Sequence, residues 1–124
     1  MAKVFAAEVA TAAPFAASLA AGQPTEVDYT PSFVDGIGAP KVFPEMWHLA
    51  TQLLAGSLVV NLDEVAAAIR LLIERHRVVA EGAGAASVAA ALGGKAGAGT
   101  IVCIVSGGNI DASKLVKILE GHTP

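Results

Sequence analysis

The chain has 124 residues, of which 54% are hydrophobic and only 15% are charged, and its formal net charge is −3. This length suits a single domain, and the absence of a Lys/Arg cluster excludes the basic surface that a nucleic-acid-binding protein needs. In a chain this apolar, we expect part of the surface to be covered by another copy of the chain or by a further part of a larger protein. We therefore expect a homo-oligomer or a complementary portion, and no nucleic-acid partner.

The compartment is indicated by cysteine usage and by the N-terminus. Cys103 is the single cysteine, and its place within an apolar run predicts a buried, unreactive thiol in a reducing, cytoplasmic compartment. The alanine-rich N-terminus has only Lys3 before its apolar run and is interrupted by Glu8, which argues against a signal peptide. No segment reaches the roughly 20 apolar residues of a membrane span, so no membrane partner is expected.

Strand and helix patterns alternate along the chain. The predicted elements are, in order, a strand at 3–7, a helix from 11 or 14 to 21, a helix at 44–55, a strand at 57–60, a helix from Asn61 to about 77, a possible strand at 78–80, a helix of small residues at 85–92, a strand at 100–105 and a helix at 113–119. This order predicts parallel βαβ units and therefore an α/β fold class with a parallel sheet.

The stretch at 100–109, TIVCIVSGGN, is the first candidate for a site. Its apolar first part shows no alternation, which predicts a central strand buried on both faces. Ligands of α/β sheets bind at the carboxyl ends of strands, where two glycines would let backbone N–H groups approach a ligand and Ser106 would add a hydroxyl. An ordinary turn before a helix capped by Asp111 explains the same pattern. The spacing of these residues is compatible both with a ligand-binding loop and with an ordinary turn.

Other motifs suggest other functions. Residues 82–87, GAGAAS, resemble the G-x-G-x-x-G loop of a nicotinamide-binding half-domain, although the acid expected at the next strand end is replaced by Ser106. Candidates for acid/base work are the carboxylates that end apolar runs, Glu8, Asp35 and Glu81. The three histidines lack metal-ligand spacing. A non-catalytic interaction domain is the remaining alternative.

Four segments together resemble one family. They are VFAAEVATAAPFAASLAAG, the acidic glycine turn VDGI at 34–37, LDEVAAAIRLLIERHRVVAEGAGAA and IVCIVSGGNID. These segments are similar to the C-terminal half of threonine dehydratase and serine racemase, the ammonia-lyase branch of fold-type II pyridoxal-phosphate enzymes. The resemblance implies a three-layer parallel-sheet portion related to the tryptophan synthase β fold. It implies an L-threonine/L-serine dehydratase forming a 2-oxo acid and ammonia, with a serine racemase-like enzyme as the alternative.

The resemblance also implies site residues. Ser106, with Gly107 beside it, would hydrogen-bond the pyridine nitrogen of pyridoxal 5'-phosphate, Gly36 would lie near the ring, and Glu81 would sit at its edge. A divalent cation would be held by Glu8 and the carbonyl of Ala12. Pro14 stands where the family pattern has a third ligand, an aspartate, so the cation would have few oxygen ligands from this chain.

The same resemblance indicates what this chain lacks. Residues 1–124 correspond to a C-terminal portion, whereas the lysine that forms the Schiff base and the polyglycine phosphate loop belong to the N-terminal part of these enzymes. None of the five lysines stands in the Ser-x-Lys motif. We therefore expect no catalytic residue in this chain, and activity only when a complementary portion supplies that lysine to act on the amino-acid substrate.

Overall fold

The computed structural model describes residues 2–124. Its elements are, in chain order, β1 (Phe5–Val9), α1 (Pro14–Ala21), α2 (Pro44–Leu53), β2 (Gly56–Val60), α3 (Leu62–Leu71), which continues as a π-helical turn (Leu72–His76), α4 (Gly82–Leu92) and α5 (Ala112–Leu119). No helix in this part of the chain is both long and apolar enough to cross a bilayer.

The two strands pair in parallel, with Phe5 opposite Gly56 and Val9 opposite Val60. The predicted α/β class with a parallel sheet is confirmed. The first strand lies two residues further along than predicted and includes Glu8, whose side chain accepts the Phe15 N–H at the start of α1.

The core lies between the sheet and helices α3 and α4. Its fully buried residues include Val9 and Val60 from the strands, Ile69 from α3 and Ile118 from α5. Helix α4 contributes only small side chains, and its buried alanines are Ala85, Ala86, Ala89 and Ala90. Small residues let the backbones of packed elements come close, which is the role predicted for this helix.

The prediction of a central, buried strand at 100–105 is wrong. This segment lies along α4, where the Ser87 hydroxyl donates to the Ile104 carbonyl at 2.8 Å, but it belongs to no sheet. The side chains of Val102 and Ile104 are 85% and 76% exposed, and Cys103 is only half-buried. A strand needs a neighbour to complete its hydrogen-bond ladder, and no described segment lies beside this one as a partner.

The observed helix boundaries differ from the predicted ones by up to three residues. Helix α4 begins at Gly82, three residues before the predicted start, and α2 ends at Leu53, before the predicted Ala55. Residues 78–80 form no strand. The long helix after Asn61 ends as predicted near 77, where Arg77 adopts a left-handed conformation with φ of 60°.

Candidate functional site

The predicted cofactor-binding residues meet at one place. The turn that contains Gly36, the N-terminus of α4 at Glu81 and the turn after residue 105 pack against one another, although they are far apart in sequence. The Glu81 N–H donates to the Gly107 carbonyl at 3.1 Å. We call these three packed segments the glycine cluster, defined by Gly36, Glu81, Gly84 and Gly107.

The backbones in the glycine cluster approach one another too closely for side chains. A Cβ added to Gly36 would lie 2.9 Å from the Ala83 Cβ, and one added to Gly84 would lie 2.9 Å from the Gly107 carbonyl oxygen. Real Cβ atoms do not come so close to carbon or oxygen without a shift of the backbone. The glycines therefore let three chain segments converge, and those in the GAGAAS turn face protein backbone.

Glu81 occupies the centre of this arrangement. Its Oε1 lies 2.8 Å from the position of a Cβ on Gly107 and 3.6 Å from that of a Cβ on Gly36. Gly107 has a φ of +104°, a conformation that side chains disfavour. Glu81 is half-buried and is the residue before the first turn of α4, yet its carboxylate does not cap that helix. The carboxylate thus remains a free acceptor in the described structure.

Ser106 lies at the border of the glycine cluster and a large cavity. The residue is exposed, and within residues 2–124 its hydroxyl makes no hydrogen bond. With Ala83 and Ser87 it lines a cavity of about 930 Å³. A hydroxyl that is free and faces open space can donate to, or accept from, a bound heterocyclic nitrogen.

Glu8 has a structural role that the sequence did not suggest. Its two carboxylate oxygens accept the N–H groups of Phe15 at 2.7 Å and Ala16 at 2.8 Å, and the Ser57 hydroxyl donates to it as well. Glu8 therefore caps α1 from β1, the strand that precedes it, and satisfies donors that no residue of α1 itself can reach. The signal was available in Pro14, which opens a helix whose N-cap, Ala13, has no side-chain acceptor.

A metal role for Glu8 and Ala12 stays a prediction. Both oxygens of Glu8 already serve as acceptors, and residues 2–124 contain no group of three His, Cys, Asp or Glu side chains placed to share an ion. A divalent cation takes six or more oxygen ligands. The residues present do not complete such a shell, and no chemical step is routed through a metal.

Two lysines are engaged elsewhere. Lys95 places its Nζ 2.7 Å from the Glu64 carboxylate and 2.9 Å from the Val59 carbonyl. Lys114 pairs with Asp111 at 3.1 Å. Of the remaining lysines, Lys3 lines the large cavity, at the β1 side. None of the three belongs to the glycine cluster.

Comparison with known proteins places the chain in a family. The model of a family described as "Pyridoxal-phosphate dependent enzyme" matches residues 2–107. The chain belongs to this family. The matched region contains all four residues predicted to bind the cofactor, Ser106, Gly107, Gly36 and Glu81.

Relatives within the pyridoxal-phosphate dependent family are named as L-threonine ammonia-lyases and L-threonine dehydratases. The chain is 40% identical over 105 residues to L-threonine ammonia-lyase of Thermotoga maritima, which covers 84% of this chain and 26% of that protein. It is 38% identical over 122 residues to L-threonine dehydratase biosynthetic IlvA of Mycobacterium leprae, covering 94% of this chain and 28% of that protein. The chain thus spans little more than a quarter of the length of these two relatives.

Solved structures agree with the sequence relatives. The processed form of threonine deaminase isoform 2 from Solanum lycopersicum superposes with a TM-score of 0.85 at 30% identity, over 96% of this chain and 36% of that one. Serine racemase of maize gives a TM-score of 0.81 at 29% identity, over 95% of this chain and 39% of that one. The resemblance read from the sequence is confirmed.

The residues present fit one side of a pyridoxal phosphate site. Ser106 offers a free hydroxyl at the cavity, and the glycine cluster offers backbone without side chains beside the Glu81 carboxylate. This donor set suits the nitrogen and the edge of a pyridine ring. The glycine cluster contains no lysine amine that could bond to the carbonyl carbon of the cofactor and no cationic group to pair with its phosphate.

Proposed function

We propose that this chain is the C-terminal portion of the catalytic region of a pyridoxal-phosphate-dependent L-threonine/L-serine ammonia-lyase. The complete enzyme converts a β-hydroxy amino acid to a 2-oxo acid and ammonia. One observation supports the proposal: in a chain of this family Gly36, Glu81 and Gly107 pack together, and the adjacent Ser106 lines a cavity.

The role of each residue follows from its chemistry. Pyridoxal phosphate, when bound, supplies the electron sink for bond breaking at the α-carbon of an amino acid. Ser106 would orient the ring through its nitrogen, and a neutral hydroxyl, unlike an aspartate, does not force that nitrogen to stay protonated. Gly36 and Gly107 would leave room for the ring. Glu81 would hold a hydrogen-bonding group at the ring edge, where the absence of a partner leaves its oxygens available.

The partners follow from what the chain does not contain. A complementary N-terminal portion would provide the lysine that bonds to the cofactor and the residues that hold its phosphate, and this chain alone would be inactive. The apolar composition supports association with that portion and a homo-oligomeric assembly. A single, half-buried thiol supports a reducing, cytoplasmic environment.

A chimeric enzyme tests this function. The 122 matched residues of the Mycobacterium leprae enzyme are replaced by the corresponding residues of this chain, and formation of 2-oxo acid from L-threonine and L-serine is measured. We expect activity with at least one of them. Ser106→Ala should lower kcat/KM about tenfold, the value of one hydrogen bond to the ring, while Ser113→Ala on the exposed face of α5 should not.

Two results would contradict the proposal. One is a chimera that unfolds cooperatively and takes up pyridoxal phosphate but forms no 2-oxo acid from either substrate. The other is an equal loss in the Ser106→Ala and Ser113→Ala variants. Accumulation of D-serine from L-serine without 2-oxo acid would favour the racemase alternative, which the structural likeness to maize serine racemase supports.

A further inference from the structure

The turn at 106–108 carries Ser106 but belongs to no helix or strand. Ser106 is exposed, and the residues before it, 100–105, belong to no sheet. A hydroxyl that must meet one ring nitrogen needs a fixed backbone, because hydrogen bonds between nitrogen and oxygen span only about 2.7–3.2 Å. The position of Ser106 therefore depends on contacts with a neighbouring element. Helix α4 and the residues just before it supply these contacts.

Backbone contacts hold the end of the turn that follows Ser106. The Glu81 N–H donates to the Gly107 carbonyl at 3.1 Å. A Cβ on Gly108 would lie 2.7 Å from the Val79 carbonyl oxygen, so this glycine lies directly against the segment before α4. The end of the turn is thus fixed by the segment that leads into α4.

Gly84 lies against Ser106 itself. The glycine is buried in the first turn of α4. A Cβ at this position would lie 3.2 Å from the Ser106 carbonyl oxygen and 2.9 Å from that of Gly107. Ordinary van der Waals contact begins at 3.4 Å, so a methyl group on Gly84 would push the turn away by about half an ångström. Such a shift is as large as the whole range of hydrogen-bond lengths.

Ser87 holds the chain just before Ser106. It follows Gly84 by three residues and therefore lies on the same face of α4. The Ser87 hydroxyl donates to the Ile104 carbonyl at 2.8 Å. Among residues 100–105, as far as the structure describes the chain, no other backbone group makes a hydrogen bond. The segment that leads into Ser106 thus depends on the Ser87 hydroxyl for its one backbone hydrogen bond.

Helix α4 can support Ser106 because its opposite face is fixed in the core. That face consists of four alanines that are at most 2% exposed, Ala85, Ala86, Ala89 and Ala90. Closely packed interiors permit little movement, so a helix buried along one face is a rigid element. Gly84 and Ser87 therefore present a fixed surface to the chain around Ser106.

We propose that Gly84 and Ser87 are positioning residues for Ser106. Gly84 leaves room for the backbone of the turn, and Ser87 bonds the carbonyl two residues before Ser106. The inference rests on the proposed function, because it assumes that the Ser106 hydroxyl meets the pyridine nitrogen of pyridoxal phosphate. Both residues act through Ser106, so their effects should exist only while Ser106 keeps its hydroxyl. This dependence separates positioning from a general loss of stability.

The chimera with the Mycobacterium leprae enzyme tests the role of Ser87. The dissociation constant of pyridoxal phosphate is measured by fluorescence titration of the apo-chimera, and kcat/KM is measured for 2-oxo acid formation. The first readout does not require catalysis. Ser87→Ala should weaken cofactor binding and lower kcat/KM, each about fivefold, the value of one hydrogen bond. Ser87→Thr keeps the hydroxyl and should change each quantity less than twofold.

A double-mutant cycle shows whether Ser87 acts through Ser106. In the Ser106→Ala chimera, adding Ser87→Ala should change the dissociation constant of the cofactor less than twofold, because no hydroxyl remains to be positioned. Thr51→Ala is the matched control. The Thr51 hydroxyl donates to the Trp47 carbonyl at 2.9 Å on α2, outside the large cavity, so its loss removes a comparable hydrogen bond. This variant should change both quantities less than twofold.

Gly84→Ala tests the close approach independently. It should weaken cofactor binding about tenfold when Ser106 is present and less than twofold when it is combined with Ser106→Ala. Gly82→Ala is the control, since its added Cβ would lie 2.9 Å from the Val34 Cα, an equally close approach to a different segment. The effect of Gly82→Ala should be the same with and without the Ser106 hydroxyl. If Gly84→Ala does not fold, the Ser87 cycle decides the inference.

Three outcomes overturn the inference: a Ser87→Ala effect that persists in the Ser106→Ala chimera, a loss in Ser87→Thr equal to that in Ser87→Ala, or equal effects of Ser87→Ala and Thr51→Ala. Unchanged cofactor affinity in Ser106→Ala also overturns it, since Ser106 would then make no contact that needs positioning. A chimera that shows the expected coupling in cofactor affinity but forms no 2-oxo acid would leave this inference standing and remove the proposed function.

Discussion

At the residue scale, the site depends on atoms that approach each other closely. Three of the four residues predicted to bind the cofactor lie together because Glu81 fits beside two glycines. A Cβ on Gly107 would lie 2.8 Å from its Oε1, and one on Gly36 would lie 3.6 Å from it, in van der Waals contact. Sequence motifs identified these residues one by one. Their convergence could not be predicted from spacing, because Gly36 and Gly107 are 71 positions apart and only the packing of α4 brings them together.

Gly107→Ala tests the contact with Glu81. The change places a Cβ 2.8 Å from Glu81 Oε1 and adds the strain of a residue with φ of +104°. Gly99 is the control, since its φ of +106° is the same but nothing lies within 4 Å of the added Cβ. Strain alone costs about 1–2 kcal/mol at either position. We expect Gly107→Ala to lower the free energy of unfolding by about 1 kcal/mol more than Gly99→Ala, measured by urea denaturation.

A double variant checks the cause of that difference. In Gly107→Ala combined with Glu81→Ala, the clashing carboxylate is absent, so the two substitutions should not be additive and the excess over Gly99→Ala should disappear. An excess that persists without the Glu81 carboxylate would show that the contact is not its source.

At the element scale, local chemistry predicted the helices well where the cap is adjacent in sequence. Helix α3 follows Asn61, whose side chain accepts the Glu64 N–H at 2.8 Å while Glu64 accepts the Asn61 N–H at 2.7 Å. A helix that starts at Asn61 was predicted from the sequence, and this capping box accounts for that start. Helix α1 is different, because its cap is Glu8 on a neighbouring strand, a relation that depends on how β1 and α1 pack.

Asn61→Ala tests the capping box. Loss of the side-chain acceptor leaves the Glu64 N–H without its partner, so the free energy of unfolding should fall by about 1 kcal/mol. Asn109 is the control: it is exposed and makes no side-chain hydrogen bond within residues 2–124, so Asn109→Ala should change stability by less than about 0.5 kcal/mol. Thermal or urea unfolding followed by circular dichroism gives both values. Equal losses in the two variants would refute the capping role.

At the scale of the whole molecule, Lys95 ties three elements together. From the loop after α4, its Nζ reaches the Val59 carbonyl of β2 and the Glu64 carboxylate of α3. The hydrogen bond from Lys95, and next the Asn61 backbone N–H, lower the pKa of Glu64 below its ordinary value of 4.5. Ion pairs that are this open to solvent contribute at most about 1 kcal/mol.

The pH dependence of stability follows from the lowered pKa of Glu64. A carboxyl with a lower pKa in the folded state stabilises the fold above its unfolded pKa, and this stabilisation is lost as the pH falls through the folded pKa. We expect the stability difference between the unmodified chain and Glu64→Gln to be largest near pH 6 and to shrink below about pH 4.5. Denaturation series at several pH values measure it. A difference that stays constant down to pH 3 would contradict the assignment.

By itself, the sequence determined the α/β class, the helix that follows Asn61 and the resemblance to the family, and it predicted which residues face the cofactor site. These features depend on local hydrogen bonding, on hydrophobic periodicity and on motifs. Only the tertiary structure decided that Glu8 caps α1, that Lys95 binds Glu64 and that residues 100–105 form no sheet here. A run of apolar residues indicates that a segment tends to be buried, whereas a β-strand forms only when the backbone of a neighbouring strand pairs with it.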